Sequence, residues 1–141
     1  MKNYLSAVLG YYGSTEDVPL FPGDIEVPER PSPDHDWDGE GWVLNPARGK
    51  ESAKARLAAA VQAHLDGQAL QLGYDSIFTA VTYATEPAVP KFQREGLALR
   101  TWRSLVWAAC YQILADVDSG ARIAPTEAEV IGLLPTFQLE A

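Results

Sequence analysis

A chain of 141 residues that is 47% hydrophobic has apolar content for a real core in one compact domain, or in a small domain with an extended arm, and its single cysteine excludes an internal disulfide framework. Nineteen acidic against eleven basic residues give a formal charge of −8 with no clustered Lys/Arg face, which argues against nucleic acid as a partner. No segment approaches the roughly 20 apolar residues of a membrane span, and the opening MKNYLSAVLGYYG, with polar Asn3 and Ser6, makes a poor signal peptide, so the chain reads as soluble, unprocessed and compatible with cytoplasm.

Residues 1–48 differ in kind from the remainder. They hold Pro19, Pro22, Pro28, Pro31, Pro33 and Pro46 and show no helical periodicity longer than a turn. Tyr4 to Tyr12 suggest a short strand or hairpin ending at Gly13, and Asp24-Ile25-Glu26-Val27 alternates like a half-buried strand. Val27 to Pro33 should run extended, because each residue before a proline is pushed out of the α region, and the stretch Pro19 to Pro33 reads as an arm or spacer. Trp37 and Trp42 flank the tight-turn dipeptide Asp38-Gly39, which predicts a hairpin with the two indoles packed on each other or on the helices.

From Gly49 the pattern becomes helical. Ala53, Leu57, Val61, His64, Leu65, Ala69 and Leu72 trace one face, with Gly73 as a stop. Asp75 is a candidate cap for a short helix from Ser76 to about Ala84, burying Ile77, Phe78 and Val81. The longest uninterrupted run is Lys91–Val117, where Leu99, Trp102, Val106, Cys110, Ile113 and Val117 fall on one face. Phe92, Leu105, Trp107 and Leu114 widen that stripe, and Gly120 supplies the left-handed end. Thr126 and Glu129 have the spacing of a capping box for a last short helix that Pro135 ends. The expected fold is mainly α (α+β): a small β/loop, Pro-rich region over 1–48 used for partner contact, then an antiparallel bundle of about four helices over 49–141.

Candidate sites are few. Asp34, Asp36 and Asp38 match the D-x-D-x-D-G opening of a calcium loop, with carboxylates at alternate positions able to converge on one hard cation. The match ends there, since Asn45 stands where a bidentate glutamate is required, and an acidic solvated turn is the plainer reading. His35 and His64 have no Cys or His at zinc spacing, and Cys110 on the apolar stripe reads as a buried, inert thiol. There is no nucleophile elbow and no phosphate-binding glycine loop, so neither enzyme activity nor a cofactor is expected. The aromatics Tyr11, Tyr12, Trp37 and Trp42, with Ile25 and Val27 of the arm, are the candidate contact residues for another protein, with internal packing and sugar stacking as the alternatives.

Two stretches resemble a known family. Gly73-Tyr74-Asp75-Ser76-Ile77, Tyr83-Ala84, Phe92 with Glu95, Trp102-Arg103 with Trp107, Gly120, Pro125-Thr126 with Glu129, and Leu134-Pro135 occur in an order similar to the carboxy-terminal helical module of small proteins encoded beside tail-fibre genes in tailed bacteriophages. Tyr11-Tyr12, Val27-Pro28-Glu29-Arg30-Pro31 and Trp37-Asp38-Gly39 to Gly41-Trp42-Val43 resemble the opening of tail-fibre assembly proteins. The resemblance implies a non-enzymatic chaperone that binds a tail-fibre protein in the host cytoplasm, or a structural subunit that stays in the virion tail, and it is compatible with an oligomer. A small calcium- or sugar-binding module is the reading outside that family.

Overall fold

The first hairpin turns through a three-residue loop. β1 (Lys2–Ser6) and β2 (Gly10–Ser14) pair antiparallel, with Ser6 opposite Gly10 and Tyr4 opposite Tyr12. Gly10, at φ 75, takes the left-handed position that follows such a loop. β3 (Ile25–Val27) pairs antiparallel with the other edge of β1, Leu5 opposite Ile25 and Asn3 opposite Val27, so the sheet order is β2-β1-β3. β4 (His35–Trp37) and β5 (Trp42–Leu44) form a second antiparallel hairpin with Trp37 opposite Trp42. The computed structural model describes residues 1–139, and these five strands lie in a compact unit, Met1–Gly49, while a second unit begins at Lys50.

Side chains opposite one another share a face of a sheet. Leu5, Tyr11, Ile25 and Val27 therefore occupy one face of the first sheet, and Tyr4, Tyr12 and Glu26 the other. On the second face Tyr4 is 4% exposed, stacks on Tyr12 at 5.6 Å and donates its hydroxyl to Asp17 O at 2.9 Å. Tyr12 donates to Asp24 Oδ2 and accepts the Leu20 N–H, both at 2.7 Å, so these two tyrosines hold the segment that links β2 to β3.

A mainly α chain with a loop-like, proline-rich front is thus corrected to an α+β fold with two small antiparallel sheets. The prolines flank the strands instead of interrupting them: Pro19 and Pro22 lie between β2 and β3, and Pro28, Pro31 and Pro33 between β3 and β4. The supposed arm is folded in, since Val27 is buried and Pro28 O accepts a hydrogen bond from Trp42 Nε1 at 2.8 Å.

Helix α1 (Pro46–Gln71) starts on Asn45, whose Oδ1 accepts the N–H groups of Ala47 and Arg48. It buries Leu57, Val61, Leu65 and Ala69 at four-residue steps. α2 (Ile77–Thr82) is capped by Ser76 and not by Asp75, through Oγ accepting the Thr79 N–H at 3.1 Å, and it continues into a 3₁₀ turn at Tyr83–Thr85. α3 (Pro90–Ser119) has proline in its first turn and Gly120 in the left-handed conformation at its end. α4 (Glu127–Leu133) is capped by Thr126, which accepts the Glu129 N–H.

Leu57, Val61 and Leu65 meet Leu99, Val106 and Cys110, with Ile77, Ala80 and Val130 closing the same core. Lys54 reaches Asp118 at 3.0 Å and His64 meets Trp102 edge-on at 5.5 Å, so α1 and α3 run in opposite directions. Two long helices share this core with two of only six and seven residues, four helices among the described residues. Phe78, expected inside, is 71% exposed, and Leu105 is 55% exposed. At Gly96 α3 lies against the backbone of α2 and of the 3₁₀ turn, where a Cβ would stand 2.7 Å from Ala80 O and 2.8 Å from Ala84 N.

Candidate functional site

The strongest candidate is the aromatic cluster of the first unit. The β1–β2 pairing puts Tyr11 on the face opposite Tyr12, and the β4–β5 register sets Trp37 beside Trp42. Trp42 meets Tyr11 at 5.4 Å and Trp37 at 5.3 Å, both edge-on, the arrangement that ring quadrupoles favour. The Arg30 guanidinium sits 4.7 Å from the Tyr11 ring centre, and the Arg30 N–H donates to the Tyr11 hydroxyl at 3.1 Å. Trp42 is fixed by its bond to Pro28 O, whereas Trp37 Nε1 is buried and has no hydrogen-bond partner among the described residues.

Polar contacts lock the hairpin that carries the indoles. Asp36 accepts from Arg48, with which it forms an ion pair, and from Asn45 Nδ2 at 3.0 Å. The Arg48 bond, and then the Asn45 bond, hold its carboxyl below the usual value. Asp38 Oδ1 accepts the N–H groups of Glu40 and Gly41, both at 2.8 Å, and these two bonds lower its pKa in the same sense, while Gly39 at φ 104 completes the turn.

Of the six residues expected to face a partner, three form the cluster: Tyr11, Trp37 and Trp42, all partly exposed. Val27 is instead buried as core, and Tyr12, as partly exposed as Tyr11, lies on the other face of the sheet, where it is a strut for the β2–β3 link. Ile25 is 48% exposed on the Tyr11 face, and Leu44, on the same face of its hairpin as the two indoles, is 51% exposed, which adds an apolar rim. Arg30 escaped sequence reading because its stacking on Tyr11 depends on the chain after β3 returning to β2; its place between Pro28 and Pro31 is the one local hint that it is held still.

Asp34, Asp36 and Asp38 do not assemble a calcium loop: Asp36 is taken by Arg48 and Asn45, and Asp38 by its own turn. No group of three or more His, Cys, Asp or Glu among the described residues is placed to hold a metal ion. His35 Nδ1 lies 2.8 Å from Ser32 Oγ, and His64 packs on Trp102. Cys110 is fully buried, and burial raises its thiol pKa. Among the described residues no helix is long and apolar enough to cross a membrane. No family model, curated protein or solved structure matches the chain.

Proposed function

We propose that this chain is a non-enzymatic tail-fibre assembly protein of a tailed bacteriophage, which binds the fibre protein in the host cytoplasm through the Tyr11–Trp42–Trp37 cluster and its rim. The observation that carries this reading is the cluster itself, three rings held in edge-on contact, with exposed Ile25 and Leu44 on the same faces of their sheets. Rigid aromatics bury a large area at low entropy cost, which is what the centre of a binding surface requires. Residues 1–49 carry nine acidic against three basic side chains, a net −6 of the chain's −8, so the surface suits a basic patch on its partner. The order of motifs from Gly73-Tyr74 to Leu134-Pro135 supports the family, and no cofactor enters the mechanism. Binding would act by covering apolar fibre surface until the fibre subunits have found one another.

The test co-expresses the chain with a tail-fibre gene of the phage that encodes it under this reading, and compares pull-downs from lysate with mass spectrometry of purified particles. Recovery on newly made fibre and absence from the particle is the expected result. Stoichiometric presence in the finished particle would make it a structural subunit of the tail, and absence from both would remove the fibre as partner.

A further inference from the structure

Helix α3 and the segment that follows α4 enclose a groove of about 460 Å³, a size typical of ligand sites. Trp102 holds the two sides together: Nε1–H donates to Pro135 O at 2.7 Å, and the ring meets Phe137 edge-on at 5.3 Å. Leu97, Leu105 and Leu139 supply apolar lining and are 46%, 55% and 40% exposed. Arg94 lines the same groove, and among the described residues no carboxylate does, in a chain whose formal charge is −8. Among the described residues Arg94 has no ion pair, as is true of most basic side chains of the chain, but it is the only one of them that lines this groove. The wall formed by residues 136–139 is in neither helix nor strand, and among the described residues its backbone N–H and C=O groups make no hydrogen bonds.

We propose that this groove binds an extended peptide segment of a partner protein that carries apolar side chains and a carboxylate. The carboxylate pairs with Arg94, which can hold it by two parallel N–H···O bonds, the apolar side chains cover Leu97, Leu105 and Leu139, and the peptide main chain bonds to the open backbone of residues 136–139. That backbone wall is the reason for a peptide over a free amphiphilic acid, which would leave those donors and acceptors unused. The groove lies wholly in the second unit and shares no lining residue with the aromatic cluster.

Fluorescence anisotropy with the full chain and a fluorescein-labelled Ser-Gly-Leu-Val-Leu-Glu peptide bearing a free carboxy terminus tests this. Saturable binding is expected, weakened about tenfold or more when the glutamate is replaced by glutamine and the terminus amidated, as loss of a charged hydrogen bond implies. Arg94→Gln should weaken the acidic peptide by a similar factor with helical circular dichroism unchanged, and Thr101→Trp, at an exposed lining position, should block binding. The proposal is overturned by absence of saturable binding or by equal binding to Arg94→Gln and the parent chain. It is overturned equally if decanoate binds where the peptide does not, which would make the groove a site for small amphiphiles.

Discussion

Replacing Gly96 by alanine sets helix propensity against packing. In an open helix interior the change stabilises by about 1 kcal/mol, because glycine is that much the poorer helix former. Here the added Cβ would lie 2.7 Å from Ala80 O and 2.8 Å from Ala84 N, where ordinary contact begins near 3.4 Å. The helices must therefore separate by roughly 0.7 Å, the difference between the ordinary and the observed spacing. Both obstacles are backbone atoms, so neither can swing aside as a side chain would. Overpacking costs about 1 to 3 kcal/mol, and with backbone on the receiving side the upper figure applies; less the propensity gain, the net loss is about 2 kcal/mol. Gly67 on α1 is the control, since a Cβ there meets nothing within 4 Å, and Gly67→Ala should stabilise by about 0.5 to 1 kcal/mol. Urea denaturation followed by circular dichroism should move the two midpoints in opposite directions. A Gly96→Ala midpoint at or above that of the parent chain would refute the close approach.

Three further outcomes are expected. Trp102→Ala should destabilise by about 3 to 5 kcal/mol, as a large-to-small change among core residues, and an unmoved denaturation midpoint would show that Trp102 does not bridge α1, α3 and the final segment. Trp102→Phe keeps a ring but loses the bond to Pro135 O, and should cost about 1 to 3 kcal/mol; thermal denaturation measures it, and stability equal to the parent's would mean the bond contributes nothing. Acid should weaken the first unit: the Arg48 and Asn45 bonds on Asp36 and the backbone bonds on Asp38 put both folded pKa values below 3.8. Groups lowered on folding contribute stability that is present above the unfolded value and lost as the pH falls through the folded one. Tryptophan emission in urea at neutral pH and at about pH 3 should show an earlier transition in acid, and Asp36→Asn should shrink that difference; an Asp36→Asn chain with the full acid shift would contradict the assignment.

The helices were legible because their signals are local. The three- and four-residue recurrence from Leu99 to Val117 names the buried face of α3, and Gly120 and Thr126 mark ends that a few neighbouring residues determine. Phe78 was misplaced because a six-residue helix is too short for periodicity to separate its faces, and Ser76 outcompeted Asp75 as its cap. The strands of the front were legible singly, β3 from its alternation over residues 24–27, but their assembly was not. β3 has only three residues and pairs with β1 some twenty positions earlier, which no local pattern encodes, so the stretch from Pro19 to Pro33 read as a free arm. The indole pair was readable from Asp38-Gly39, but its contact with Tyr11 and the cation above that ring required the fold. Nothing in the sequence marks Gly96; the backbone of α2 and of the 3₁₀ turn after it explains the glycine.

The span of the ties within each unit sets an order of assembly. In the first unit Lys2 meets Glu26, 24 residues away, and β4–β5 closes within ten residues. In the second, Trp102 must find Pro135, 33 residues on, and Lys54 must find Asp118, 64 residues on. Short closures lose less chain entropy and are found sooner. On a ribosome, where the amino-terminal part emerges first, the aromatic surface would then be finished while α3 is still being made. Stopped-flow refolding should resolve an early Trp37/Trp42 phase and a later one for closure of α1 on α3; a single shared phase would mean that neither unit waits for the other.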